Sequence, residues 1–316
     1  MGKFRKASEP IEVSYIKGLF YGAPGLGKTT YSLTAPNPLL FDFDHGISRV
    51  QPRDRKDNIE IDTWADVENA LANKIEGVNI TEYDSFVLDT AGKLLDVLTL
   101  DIIRNAPPDS KLAWQGNLSQ RGWGVLQQRF KLFLAKALEL KKNLIFVCHS
   151  REDKDGDSVV IRPDVQGRSL SIMLKEMDLV GYMSKNGDDN MISFDPTERY
   201  YGKNTCLLEK NIVTRKFTVS DIINKYHQNQ SMINEVAKKY NELISDLQNK
   251  IGVMQVPEDF RKVAEHLSTV EHIWDSRLQA GLLFKQRLNE VGYQYNAVKR
   301  EYETKPETFV PPVPSV

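Results

Sequence analysis

The chain has 316 residues, with 42 lysines and arginines against 43 aspartates and glutamates and a formal net charge of −1. Such a length suits one large α/β domain, or a domain of roughly 200 residues with a smaller one attached, and the near-neutral balance excludes a globally basic nucleic-acid binder, so any such surface must be local. The two cysteines, Cys148 and Cys206, are too few and too isolated for a disulfide framework or a zinc site, which points to a reducing compartment.

The start Met-Gly-Lys-Phe-Arg-Lys has no apolar core of a signal peptide, and Lys6 stands where myristoylation wants Ser or Thr. No apolar run is long enough to span a bilayer. The expectation is a soluble cytoplasmic protein without membrane contact, its residues 1–11 forming a tail. The apolar run Tyr15 to Tyr21 predicts a strand, which leads into Gly22-Ala23-Pro24-Gly25-Leu26-Gly27-Lys28-Thr29-Thr30. This is a complete G-x-x-x-x-G-K-[ST] phosphate loop, with strand, loop and helix signals in the required order. Gly22, Gly25 and Gly27 let the backbone curl so that successive N–H groups converge on phosphates. Lys28 adds a point charge at the β and γ phosphates, and the Thr29 hydroxyl is placed to complete a Mg²⁺ shell. A helix over 28–34 offers its free amides to the same anion. It stops at Ala35-Pro36. The pattern implies a nucleoside triphosphate and magnesium as ligands.

Pro38-Leu-Leu-Phe-Asp-Phe-Asp-His-Gly46 reads as a short buried strand ending in acids, and Asn58 to Ile61 as another. Asp62-Thr-Trp-Ala-Asp carries capping residues ahead of an amphipathic helix. Ser85 to Asp89 and Asn143 to Cys148 are continuous apolar runs, as in strands covered on both faces. Between them Leu126, Phe130, Phe133, Leu134, Ala137 and Leu138 recur at helical spacing. Arg151 to Asp157 reads as a solvated hairpin tip leading into Val159 to Arg162, and a further strand pair is predicted at Leu179 to Met183 and Met191 to Phe194. The alternation predicts an α/β fold with a mainly parallel, doubly wound sheet. After about Thr218 strand signals cease. Ile233, Val236, Tyr240, Leu243, Leu247 and Ile251 form one helical stripe; Phe284, Leu288, Val291, Tyr295, Val298 and Tyr302 form another at nearly heptad spacing. Lys305 to Val316 is a proline-rich tail, expected to be extended or flexible.

Strand ends of a parallel sheet face one crevice. Asp89 ends its strand where a carboxylate holds Mg²⁺ through water. Asp44 is the candidate for orienting the attacking water, and Asp42 stands equally well as a cap for the turn that follows. His149 follows the strand 143–148, either to report the terminal phosphate to a neighbouring loop or to bond within a polar turn.

Gly22 to Thr30, Phe41-Asp-Phe-Asp-His-Gly46, Phe86-Val-Leu-Asp-Thr90, Val147-Cys-His-Ser150 and Arg199-Tyr-Tyr-Gly-Lys-Asn204 occur in the order seen in the RecA-like ATPases of bacteriophages. The chain resembles the small phage recombinases linked to single-strand annealing, over roughly residues 12–215. That resemblance implies a RecA-like ATP-binding domain over 12–217, a helical region over 218–304 and ATP bound between subunits of a homo-oligomer that holds single-stranded DNA. Asp44 then matches an acidic position that is usually glutamate, and one methylene less implies slow hydrolysis or a displaced water. Lys203 resembles a late lysine placed near the phosphates of an adjoining subunit. Thr205 stands where an arginine often follows, leaving Arg199, Arg168 or Arg162 as substitutes or as plain surface residues.

Single strands bind to cations that track the backbone and to flat groups on which bases stack. Trp114, Trp123, Lys111 and Arg121 in a glycine-containing loop, with Arg162 and Arg168, are the candidates; either tryptophan also suits packing, Trp123 the more so. Two functions compete. One is a DNA-stimulated ATPase of phage recombination or replication. The other is a nucleotide-gated scaffold with little turnover, whose helical region recruits a single-strand-binding or replication protein. A small-molecule kinase lacks an arginine-rich lid.

Overall fold

The computed structural model describes Phe4, Glu9, residues 14–156 and residues 158–305. The tails expected at 1–11 and 305–316 lie outside the described residues apart from Phe4, Glu9 and Lys305. Two compact units are present, one within Glu12–Gln230 and the other within Ser231–Val316.

The first unit begins with β1 (Lys17–Gly22), α1 (Lys28–Ser32), β2 (Pro38–Asp42), β3 (Asn58–Glu60), α2 (Trp64–Leu71), β4 (Ser85–Asp89) and α3 (Ala91–Arg104). A small hairpin of β5 (Ala113–Trp114) and β6 (Asn117–Leu118) precedes α4 (Gln120–Glu139). There follow β7 (Asn143–Asp155), β8 (Ser158–Pro163), α5 (Arg168–Glu176), β9 (Leu179–Asn186), β10 (Asp189–Ser193), β11 (Lys203–Asn204) and β12 (Asn211–Val213). Helix α6 (Val219–Gly252) starts in this unit and ends in the second, which adds α7 (Pro257–Thr269), α8 (Ser276–Glu290), β13 (Tyr293–Asn296) and β14 (Glu301–Thr304).

A ten-stranded sheet runs in the order β12-β10-β9-β1-β7-β4-β2-β3, with β11 on β9 and β8 on β7. From β9 to β3 every neighbouring pair is parallel, which is the α/β architecture that the continuous apolar runs require. Successive residues of each run point to opposite faces, so both faces are buried. Leu19, Tyr21, Phe41, Phe86, Leu88 and Phe146 join the core formed with α3 and α4. Phe20, Leu40, Val87, Ile145 and Val147 join a second core with Tyr31 of α1 and Val219, Ile222 and Ile223 of α6. The helices after β1 and β4 therefore lie on opposite faces. A crevice opens between them at the C-terminal strand ends, where ligands bind in open parallel sheets.

Local chemistry fixes the details. Thr63 and Asp66 form a reciprocal capping box at the start of α2. The hairpin expected around residues 151–162 forms as β7 runs past the sheet and pairs with β8 from Ser150↔Pro163 to Asp155↔Ser158.

In the second unit Leu247 and Ile251 of the first stripe are buried with Met254, Phe260, Ala280 and Leu288, while Ile233 and Val236 remain exposed. The second stripe is not one helix. Helix α8 ends at Glu290 and Gly292 adopts φ 78°, the left-handed stop that glycine tolerates. The Asn296 side chain then accepts from the amides of Val298 and Lys299, a turn device that folds β13 back on β14. Tyr293 and Tyr302 both pack edge-on against Phe260, with ring centroids 5.1 and 5.3 Å away.

One glycine of the phosphate loop is demanded by the sheet. A Cβ on Gly22 would stand 2.4 Å from the Met183 carbonyl oxygen. Gly22→Ala is expected to destabilise the fold by about 1–3 kcal/mol. Gly124→Ala, at an α4 position with nothing within 4 Å, should instead raise stability by about 0.5–1 kcal/mol. Urea unfolding of the two variants checks both signs.

Candidate nucleotide site

At the C-terminal edge of the sheet the parallel register aligns Asp42 with Asp89 and Gly22 with His149. The phosphate loop arches over this edge. Gly25 and Gly27 hold φ 81° and 70°, the left-handed backbone that glycine adopts readily, and both line the cavity below. The amide of Asn190 pins the crown of the loop by donating to the Leu26 carbonyl at 3.2 Å. Helix α1 is only five residues long, so the curled loop amides supply more of the anion-binding field than a helix dipole does.

A cavity of about 540 Å³ lies under the loop, lined by Gly25, Gly27, Lys28, Thr29 and Thr30 from one side and by Asp44, Arg49, Asp89, Thr90 and His149 from the other. Its size is that of a small-molecule site. Lys28 is buried, and its ammonium donates to the Ala23 carbonyl at 2.8 Å. Burial lowers its pKa, against the pull of Asp89 and Cys148. The Thr29 hydroxyl donates to the Asp89 carboxylate. Desolvation pushes Asp89 up to about 6, opposed by that hydrogen bond and reinforced by Asp42 and Asp44. A divalent cation between Thr29 and Asp89 would remove this cost, because a carboxylate beside a metal is favoured in its charged form.

His149 also lines the cavity, and its Nδ1 is buried without a hydrogen-bond partner. Burial and the nearby Lys28 lower its pKa. An orphaned ring nitrogen, a lysine engaged only by its own loop and a hydroxyl–carboxylate pair together fit a magnesium nucleotide. Phosphates would lie on the loop amides and Lys28, and the metal on Thr29 and Asp89.

The two remaining acids separate. Asp42 is buried and accepts from the amides of Gly46 and Ile47 at 2.9 and 3.0 Å, so it shapes the short 3-10 turn Gly46–Arg49 rather than facing the cavity. Asp44 does face the cavity, but its Oδ2 is held by Arg49 Nη2. Arg49 and Asn190 were not legible as site residues, since no motif spacing marks them.

Other candidates lie elsewhere. Lys203 does not line the cavity; its ammonium donates to the carbonyls of Leu174 and Lys175 at 3.2 and 3.3 Å, so it adds no charge to the loop of its own chain. Arg162 stacks over Tyr201, 5.3 Å from the ring centroid, and pairs with Asp153 at 3.4 Å. Arg168, Arg199 and Thr205 are exposed. Trp123 packs against the first core. Trp114 is 74% exposed at the β5–β6 turn, with Lys111 and Arg121 also exposed.

A family model described as an AAA domain matches residues 14–206, which takes in the loop, the strand-end acids and His149. No curated protein matches the chain. Among solved structures it is similar to the flagellar accessory protein FlaH from Methanocaldococcus jannaschii, with 14% identity over 63% of this chain and 84% of that chain and a TM-score of 0.32.

The Asp89 environment sets a stability test. Its folded pKa of about 6 exceeds the ordinary 3.8, so its penalty is absent below pH 4, grows as pH rises, and is complete above about pH 6. Asp89→Asn should therefore be the more stable protein at pH 7.5 without magnesium, by about 3 kcal/mol at most. The advantage should vanish near pH 4. Thermal melts of both proteins across that range, in chelator, check the sign.

Proposed function

Because the chain belongs to this AAA domain family, we propose that it is a magnesium-dependent ATPase that acts on single-stranded DNA in bacteriophage recombination or replication. The observation that carries the ATPase reading is the convergence of Lys28, Thr29, Asp89 and Asp44 on one cavity beneath the curled loop. Bound Mg²⁺ supplies positive charge that screens the polyphosphate and draws electrons from the terminal phosphorus. Lys28 and the loop amides would hold the phosphates, while Thr29 and Asp89 would hold the metal. Asp44 orients the attacking water: its oxygen bonds to the terminal phosphorus as the bond to the bridging oxygen breaks, and the diphosphate keeps that electron pair. The proton of the water goes to the Asp44 carboxylate and from there to solvent. His149, with its orphaned Nδ1 at the cavity wall, reports the terminal phosphate to the β7–β8 hairpin.

The DNA part of the reading draws support from the phage-recombinase resemblance and from Trp114, a flat exposed side chain in a turn flanked by Lys111 and Arg121. Assembly into a homo-oligomer, with Lys203 facing a neighbouring nucleotide, belongs to the same reading.

A second reading is favoured by the Arg49–Asp44 pair: a nucleotide-gated scaffold of negligible turnover that recruits a single-strand-binding or replication protein through its helical C-terminal region. Steady-state hydrolysis with and without single-stranded DNA separates the two. The ATPase reading expects Lys28→Ala to lower turnover by roughly 100- to 1,000-fold; unchanged hydrolysis in that variant refutes it, and tight ATP binding with no turnover favours the scaffold. DNA affinity should fall as salt rises, and Trp114→Ala should cost about 1–3 kcal/mol of it. A flat salt response together with an unaffected Trp114→Ala protein would remove the DNA claim.

A further inference from the structure

Arg49 is, among the described residues, the one arginine that lines the nucleotide cavity. Its Nη2 meets Asp44 twice, at the carboxylate Oδ2 and at the backbone carbonyl 3.3 Å away. The guanidinium therefore engages one of the two Asp44 oxygens, Oδ2, and draws charge from the carboxylate that would accept a water hydrogen. The pair is also asymmetric: the Arg49 side chain is 66% exposed and that of Asp44 28%, so the long cation has room to swing and the short acid does not.

The turn that carries both residues is rigidly built. Asp42 clamps the amides of Gly46 and Ile47, and the guanidinium crosses Gly46 so closely that a Cβ there would stand 2.8 Å from Nη2. Both Asp44 and Arg49 act electrostatically on His149, with opposite signs, and all three line the same cavity as Lys28 and Thr29. An exposed carboxylate–guanidinium pair is weakly held. A polyphosphate beside it offers the same guanidinium several anionic oxygens in bidentate geometry, a stronger contact.

We propose that Arg49 is a triphosphate-sensing latch on Asp44: a terminal phosphate draws the guanidinium off Asp44, so the same movement stabilises the phosphate and frees the carboxylate to orient water. The inference rests on the ATPase reading above and deepens it. A cation from the same chain thereby fills the role left open by Thr205. A diphosphate, lacking the terminal group, leaves the latch on Asp44, so product and substrate are distinguished before any chemistry.

The test is a double-mutant cycle read by equilibrium binding of ATP and ADP to the full chain, with Lys28→Ala as the reference for site-specific binding. Asp44→Asn should raise ATP affinity by about threefold to tenfold, because Arg49 no longer has to leave a carboxylate. Arg49→Ala should lower ATP affinity by about tenfold, leave ADP affinity unchanged and lower kcat. In the combined variant the Asp44→Asn gain should disappear. A gain that persists without Arg49 marks simple charge repulsion and overturns the latch, as does an Arg49→Ala protein with an unchanged ATP-to-ADP preference or a raised kcat. Loss of Lys28-dependent ATP binding in the unaltered protein would instead defeat the ATPase reading itself.

Discussion

The contact between the Thr29 hydroxyl and the buried Asp89 carboxylate is the constraint around which the first unit is arranged. These groups do not sit on neighbouring strands. Strand β7 lies between β1 and β4, and with strands about 4.8 Å apart the two ends are separated by roughly 9.6 Å. The loop must arch across the end of β7 for Thr29 to reach Asp89, which brings Lys28 over Cys148 and His149. A slip of one residue in β4 would turn Asp89 to the opposite face. In the observed register Phe86 and Leu88 join one core and Val87 the other, and Asp89 aligns with Asp42 at the strand ends.

The same contact opposes stability. Asp89 and Lys28 are both nearly enclosed, and each is displaced toward its neutral form by burial. Their mutual attraction does not cancel the desolvation of either. A core built only for stability would carry apolar groups there. The strain is concentrated at strand ends, where the surrounding sheet, apolar on both faces, tolerates it.

Sequence legibility followed the range of the interactions. The phosphate loop was legible because its spacing is a local backbone requirement, and β1, β2, β4 and β7 because a strand covered on both faces must be apolar throughout. Asp89 was legible as the end of such a run. Asp44 was legible as the acid facing the phosphates, whereas Asp42 suited that crevice and a cap equally; that it turns back onto its own loop depends on the amides of Gly46 and Ile47. Arg49 carried no signal at all, because its position beside the phosphates depends on that turn. In the second unit Tyr295, Val298 and Tyr302 fell into register with a helical stripe by coincidence, although Gly292 and Asn296 supplied competing stop and turn signals. The tyrosines belong to a hairpin whose packing partner, Phe260, lies in another helix.

Charge also explains why so little of the remaining surface reads as a nucleic-acid face. Several cations of the first unit are matched internally, Arg151 and Arg162 by Asp153 and Arg215 by Asp189, and within its own chain Lys203 donates to helix carbonyls. The overall balance of −1 is thus reproduced locally as paired charge. Counterion release, which scales with the number of phosphates neutralised, would then rest on the few exposed cations such as Lys111 and Arg121. Stacking would add to it, and Trp114 is the tryptophan of the first unit that is mostly exposed. Stacking is tolerant of base identity, so a face built this way would follow a strand without reading its sequence, and nucleotide-dependent gating at Asp44 would matter more than base contacts in deciding when it holds on.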